Sequence, residues 1–250
     1  MCNCPDIVNA KIMIRKIKSL LTWSLVATAA TFYSCTELED PGPLQSTEKE
    51  YAVIDFDRLE MGSAFHIQVE QSHTFSIQVK GDRRNIDDLE VYKRGGTLII
   101  EYSHNDSRKH DTYITIKMPA LRSVNFSGAS VSTIEGFESD GEIDFYLSGA
   151  STAQLDAGYR QVNLVISGAS NLRMYGLGDE INAQLTGASL LSAFDYPVRA
   201  INVEASGASD VKVTASDALD VVASGASSVS YRGNPTINST VSGSSTIVRD

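Results

Sequence analysis

From residue 121 onward the chain alternates apolar and polar positions with period two. It does so around a small motif that returns seven times: FSGAS, LSGAS, ISGAS, LTGAS, ASGAS, ASGAS and VSGSS. The motif glycines are Gly128, Gly149, Gly168, Gly187, Gly207, Gly225 and Gly243, at spacings of 21, 19, 19, 20, 18 and 18. Aligned on the Gly, apolar residues stand four and two before it (Phe145 and Leu147, Leu164 and Ile166, Val203 and Ala205) and four and six after it (Ala153 and Leu155, Leu172 and Met174, Val211 and Val213). Period two is a strand signal, and a parity kept straight through the motif means that one face stays buried along each repeat. A period near twenty built from strands predicts stacked coils. The expected fold is all-β: a parallel β-helix, or solenoid, of about seven coils over 121–250. Right-handedness follows from the chirality of parallel β crossovers.

By the same parity the Gly falls on the buried side. It predicts a tight corner or bend where the backbone pinches inward and a side chain does not fit. The second Ser of the motif (Ser130, Ser151, Ser170, Ser189, Ser209, Ser227, Ser245) shares that parity. It predicts a column of hydroxyls bonded along the stack or to nearby backbone. Five residues before each Gly stand Ser123, Asp144, Asn163, Asn182, Asn202, Asp220 and Asn238. The opposite parity places this column outward or at a corner, its amides bonded from coil to coil. A Ca²⁺ row needs clustered carboxylates, and the two Asp residues of this column are four coils apart. No metal and no cofactor are expected.

Residues 51–120 alternate in the same way without the motif, in FHIQVEQ (65–71), FSIQVKG (75–81), GGTLIIEYS (95–103) and TYITIKMPA (112–120). They are expected to form an N-terminal β cap over the first coil's edge, as a solenoid requires. Arg83, Arg84, Lys93, Arg94, Arg108 and Lys109 are read as its solvated loop surface. Upstream, Arg15, Lys16 and Lys18 precede an apolar stretch, Leu20–Tyr33, which ends at Ser34-Cys35. That is the order of a bacterial lipoprotein signal, giving a signal peptide over 1–34 and a lipidated Cys35. A plain secretory signal or a short anchor with an incidental Cys is the alternative, and translation starts at Met1 or Met13. Residues 35–50, polar and Pro-containing, read as a flexible tether. Cleavage would remove Cys2 and Cys4, leaving no disulfide framework.

The charge balance narrows the partners. A net charge of −10 argues against nucleic acid, which needs clustered Lys and Arg. Expected partners are a membrane, through the lipid anchor, and a glycan or protein ligand, with a homo-oligomer left open. Catalysis is not expected. A nucleophilic Ser needs a base and an orienting acid, whereas His66, His73, His104 and His110 all lie outside the repeats. Arg173, Asp210 and Lys212 do not recur on neighbouring coils. Asp140, Glu142, Asp144 and Asp156 form the densest acidic group and read as a solvated edge rather than as the carboxylate cluster of a β-helix enzyme.

Several stretches together carry a resemblance: the opening IDFDRLEMGSAFHIQVEQ, the GGTLII strand, the PALRSVNFSGAS entry and the ending GNPTINSTVSGSS. Over residues 51–250 the chain resembles the putative auto-transporter adhesin head GIN domain of Bacteroidetes lipoproteins, a family once called a domain of unknown function. The resemblance implies a β-helical cell-envelope protein with an adhesive role and supplies no catalytic residues. The expectation is a non-enzymatic, surface-exposed outer-membrane lipoprotein that acts as an adhesin or binding module. The alternatives are a self-associating structural or signalling envelope protein and a carbohydrate-active β-helix enzyme.

Overall fold

The structure is a computed structural model and describes residues 42–250. The expected signal peptide (1–34), Cys35 and the first part of the tether lie outside the described residues.

Most of the described chain is strand, and its one helix is a single turn. Ahead of the motif come β1 (Ser46–Tyr51), β2 (Arg58–Met61), β3 (His66–Gln71), β4 (Ser76–Asp82), a one-turn helix α1 (Arg83–Asp87), β5 (Leu89–Arg94), β6 (Thr97–Tyr102) and β7 (Tyr113–Met118). The repeats supply β8 (Ser123–Phe126), β9 (Val131–Leu147), β10 (Thr152–Ile166), β11 (Asn171–Leu177), β12 (Glu180–Leu185), β13 (Leu190–Ala205), β14 (Asp210–Ala223), β15 (Ser228–Arg232), β16 (Thr236–Val241) and β17 (Thr246–Arg249).

The repeats stack as a parallel β-solenoid with two walls. Stretches that follow a motif corner make the first wall: Thr152 pairs with Val131 and Asn171, Leu190 with Asn171 and Asp210, and Ser228 with Asp210 and Thr246. Stretches that precede a corner make the second: Asp144 pairs with Ser123 and Asn163, Asn182 with Asn163 and Asn202, and Asp220 with Asn202 and Asn238. Equivalent residues therefore lie one above another, about 4.8 Å apart. Between the walls runs the core, a file of residues such as Phe126, Leu147, Ile166, Leu185, Ala205 and Ala223, all buried. The file passes from aromatic to small along the chain, as the coils shorten from 21 residues to 18.

The first end of the stack differs from the expected cap. β2 pairs in parallel with both β6 and β8, and β3 pairs in parallel with both β7 and β9. Residues 58–71 are thus a coil of the solenoid, wedged between a coil made later in sequence (97–118) and the first motif coil. Only beyond them do antiparallel strands close the edge: β5 on β6, β4 on β7, and β1 on β4. The physical reason is that Met61 and Phe65 fill the core positions of a corner whose other residues are Gly62-Ser63-Ala64, a permuted form of the motif. At the opposite end, coil 236–249 packs on one neighbour among the described residues, and Ile237 and Val241 keep 40% and 44% exposure.

Of the basic residues of the first end, Arg83, Lys93, Arg94 and Lys109 are exposed, as expected of a solvated loop surface, while Arg84 and Arg108 are half-buried in specific contacts. Arg84 binds the buried Asp82, and Arg108 is half-buried between Asp88 and the Tyr102 ring, 3.7 Å from its centroid. Lys93 donates to the Ile54 carbonyl at 2.9 Å. Asp82 also accepts from the backbone N–H groups of Gln45 and Arg84 at 2.9 and 3.0 Å. The Arg84 guanidinium and these N–H donors outweigh burial and hold the carboxyl well below the usual range. His104 is pushed the other way, upward, by the Asp88 carboxylate at 2.6 Å.

Candidate binding surface

The motif makes a corner, and it turns outward. Each motif Gly has φ between +70° and +80°, the left-handed region. Gly and the following Ala are both exposed, and burial resumes at the second Ser. Strict parity had placed the Gly inside; the left-handed residue breaks the alternation and swings two successive residues to the surface. Coil-to-coil bonding continues through the corner, with Ala188 N donating to Gly168 O at 2.8 Å and Ala208 N to Gly187 O at 2.7 Å. Each Gly carbonyl consequently lies under the Cα of the next Gly. A Cβ on Gly187 would collide with the Gly168 carbonyl oxygen and stand 3.2 Å from its nitrogen.

The Ser column completes the corner. Ser130, Ser151, Ser170, Ser189, Ser209 and Ser227 are buried. The hydroxyls of Ser151, Ser189, Ser209 and Ser227 donate to the carbonyl three residues earlier at 2.8–2.9 Å, satisfying an oxygen that the bend turns away from the ladder. Ser130 donates to Ser151 Oγ at 3.1 Å. These hydroxyls are structural fasteners with no path to a substrate.

The Asn column lies outside on the second wall and works as a relay. Asn202 Nδ2 donates to Asn182 Oδ1 at 2.7 Å, Asn182 to Asn163 at 3.2 Å, and Asn163 to Asp144 at 2.9 Å. All donors point toward the first end. Asp144 is where such a series must stop, because a carboxylate accepts and cannot pass a bond on. Ser123, Asp220 and Asn238 occupy the same column without joining this series.

A second corner, where the first wall passes into the second, is irregular. The register of β10 on β9 shifts between Asp156 and Gly158 and again between Tyr159 and Gln161. Gly158, Gly176 and Gly178 sit here. A Cβ on Gly158 would fall on the Glu138 carboxylate, and one on Gly178 on the Tyr159 carbonyl. Two buried phenols hold the floor: Tyr159 Oη donates to Leu121 O at 2.9 Å, while Tyr196 Oη accepts from Tyr159 N at 3.1 Å and donates to Tyr159 O at 3.3 Å. Burial pushes both phenols up from their ordinary value, so they remain neutral plugs.

Over this floor the surface is indented. One depression of about 470 Å³ is lined by Glu138, Asp140, Tyr159, Arg160, Leu177 and Asp179 among others, and one of about 520 Å³ by Arg58, Arg122, Ser123, Glu142, Asp144 and Arg160. They share Ser139 and Arg160 and so form one trench, which reaches the second wall at Asp144. Of the expected acidic edge, Asp140, Glu142 and Asp144 line this trench, and Asp156 stands apart on the first wall.

The model of the family described as putative auto-transporter adhesin, head GIN domain, matches residues 55–235. The chain belongs to that family. Several solved structures share the GIN-domain fold. A putative adhesin from Bacteroides fragilis has a TM-score of 0.74 at 20% identity, covering 82% of this chain and 96% of its own. One from Parabacteroides merdae has a TM-score of 0.63 at 15% identity, with the same two shares of 82% and 96%. A protein called a putative lipid binding protein, from Parabacteroides distasonis, has a TM-score of 0.63 at 19% identity, again over 82% and 96%. No curated protein matches the chain.

Within this GIN domain the sequence-predicted columns are all corner or wall elements. Arg173, Lys212 and Asp210 project from the first wall, Lys212 beside Asp210 at 3.5 Å. Among the described residues, no group of three or more His, Cys, Asp or Glu side chains is placed to hold a metal. The trench residues Arg58, Arg122, Ser139, Arg160 and Asp179 were not singled out by sequence. A signal was present: Gly136, Gly158, Gly176 and Gly233 lie eight or nine residues after a motif Gly, a second and looser glycine column.

Proposed function

We propose that this GIN domain is a non-catalytic binding module of the bacterial surface, an outer-membrane lipoprotein held through Cys35 and acting as an adhesin. One observation carries the reading. The outward faces are rigid, in-register walls on which like residues repeat, and the trench beside them is polar and open to solvent. Its carboxylates Glu138, Asp140 and Glu142 are exposed and not enclosed as a general acid must be. The buried hydroxyls of Ser151, Ser189, Ser209 and Ser227 donate to backbone carbonyls rather than to a base. Such a surface offers binding area without converging chemical groups. The family's description and the names of its structural neighbours support adhesion, and the basic-apolar-Cys order of residues 15–35 supports the anchor.

Intact producing cells test this directly. An antibody to the domain should label them, deletion of the gene should reduce their adherence to a surface that the parent colonises, and Cys35→Ala should release the protein from membranes. Unchanged adherence in the deletion strain refutes the adhesin reading, and unchanged membrane retention of Cys35→Ala refutes the anchor.

A further inference from the structure

We propose that the trench at the second corner, together with Tyr146 on the adjoining wall, binds an uncharged oligosaccharide. The inference rests on the binding-module reading above and specifies its site and ligand class. Sugar rings present two kinds of surface: a C–H face that packs on an aromatic ring, and vicinal hydroxyls that pair with planar, two-pronged polar groups. Both are present. Tyr146 is 44% exposed on a flat, rigid wall and pairs across the strands with Val165, itself 37% exposed. The next column mates are Gln184 and Glu204, which separate this apolar pair from the exposed Val222 further along, so the patch is local rather than a continuous stripe. Tyr146 stands two residues after Asp144 on the same face of the same strand, about 7 Å along.

The polar groups are held in place in advance. Asp144 ends the amide relay: one carboxylate oxygen accepts from Asn163 Nδ2, and the other has no protein partner among the described residues. Arg160 is fixed through Nε to the Asp140 carbonyl at 3.0 Å, which leaves its terminal nitrogens without a protein partner among the described residues. Arg122 is anchored by Asp57 at 3.4 Å on the far side of the trench. Ligand hydroxyls can therefore donate to Asp144 and accept from Arg160 at no cost in side-chain ordering.

Charge decides against the other ligands. The trench is lined by the carboxylates of Glu138, Asp140, Glu142, Asp144 and Asp179 and by the guanidiniums of Arg58, Arg122 and Arg160, on a chain of net charge −10, so a polyanion meets more like charge than opposite charge. Among the described residues no cluster of His, Cys, Asp or Glu is placed to hold a metal. A neutral polyol uses donors and acceptors equally.

The test is an array of uncharged glycans (glucans, mannans, galactans, chito-oligosaccharides) beside acidic ones (polygalacturonate, heparin, sialyl-oligosaccharides), probed with the purified full chain. One arm carries neutral polysaccharide extracted from the producing cells, which separates a self glycan from a foreign one. Binding to at least one uncharged glycan is expected. In titrations with the best of them, Tyr146→Ala and Arg160→Ala should each weaken binding about tenfold or more, while Arg173→Ala on the first wall leaves it unchanged. Tyr146 and Arg160 are both exposed, and an unchanged melting temperature confirms that the variants fold. Binding to acidic glycans alone, to none, or with equal affinity by Tyr146→Ala overturns the proposal. If cells adhere and the Tyr146→Ala, Arg160→Ala double variant adheres equally, the oligosaccharide site is wrong and the adhesin reading stands. If parent cells do not adhere, the adhesin reading itself has failed.

Discussion

Replacing Gly187 by Ala separates two costs that the corner combines. The first is conformational. Gly187 has φ +80°, where a residue with a Cβ pays about 1–2 kcal/mol. The second is steric, because the new methyl lands on the Gly168 carbonyl, which is pinned by its bond from Ala188 N at 2.8 Å. Coils lie on both sides of Gly187, so the stack cannot open to make room. Overpacking of this kind adds about 1–3 kcal/mol, and the sum is about 2–5 kcal/mol. At roughly 2–4 °C per kcal/mol for a chain of this size, the melting temperature should fall by roughly 4–20 °C. Ser63 shows that the conformation alone is tolerable. It holds φ +71° at the matching position of coil 58–71, is exposed, and has the Gly128 corner on one side only, because coil 97–118 on the other side has no motif corner. Gly243 supplies the internal control. Its φ is +70° and its Cβ would meet Gly225 O at 2.5 Å, yet among the described residues its coil has a neighbour on one side and can lift. Gly243→Ala should therefore cost only the dihedral part, about 1–2 kcal/mol. Thermal unfolding followed by far-UV circular dichroism reads both. A Gly187→Ala variant as stable as the parent, or a Gly243→Ala variant that loses as much, refutes the close-approach account.

Three further outcomes follow from particular contacts. Asn182→Asp removes the donor to Asn163 and sets a carboxylate against an amide oxygen, so it should cost about 1–3 kcal/mol, whereas Asp144→Asn keeps an acceptor and should stay within about 0.5 kcal/mol; equal losses in urea unfolding would show that the relay has no direction. Tyr196→Phe leaves the Tyr159 N–H and carbonyl buried and unpaired and should cost about 1–3 kcal/mol, and an unchanged melting temperature would remove Tyr196 from the floor of the trench. Asp82 has a folded-state pKa below its unfolded one, so its network stabilises the fold above the ordinary carboxylate pKa of about 3.9 and the contribution is lost as the pH falls through and below that value. Asp82→Asn should flatten that acid limb in a pH series of unfolding free energies, and an unaltered limb would refute the assignment.

The sequence is informative about the stack because a solenoid repeats its constraints. Every motif Gly meets the same carbonyl and every second Ser the same kind of bend, so small residues recur in order, and the parallel strands with their buried faces can be read without coordinates. Two features escaped for definable reasons. Coil 58–71 was hidden because its corner reads Gly-Ser-Ala-Phe, with core volume supplied by Phe65 in place of the hydroxyl. Its order in the stack was hidden because the chain places residues 97–118 outside it, a non-sequential step that no period records. The outward swing of the motif Gly was obscured by parity, since one left-handed residue turns two neighbours outward and then restores the count. The trench was least visible. It arises from register shifts in β10 and from Tyr159 and Tyr196, which lie 37 residues apart in sequence and are joined only by the fold.

The columns also indicate where function can reside. In a parallel stack each residue is a neighbour's environment, so a column of identical side chains is explained by mutual fit and carries little information about a ligand. A residue that breaks its column without improving that fit is left to be explained by what lies outside. Tyr146 is such a residue: it is the one aromatic in a mixed wall column with Asn125, Val165, Gln184, Glu204, Val222 and Thr240, and at 44% exposure its ring is not explained by burial. Asp144 is another. It replaces the amide of its column with a carboxylate at the one place where a one-way relay needs an acceptor, and it presents a second oxygen to the trench. Arg160 is a third, its guanidinium held by a backbone carbonyl rather than by a carboxylate. The three sit on two adjacent coils, with Asp144 and Tyr146 on β9 and Arg160 on β10. Structural columns run the length of the solenoid, whereas these departures converge on one patch of it, which is the distribution expected of a binding site laid over a regular scaffold.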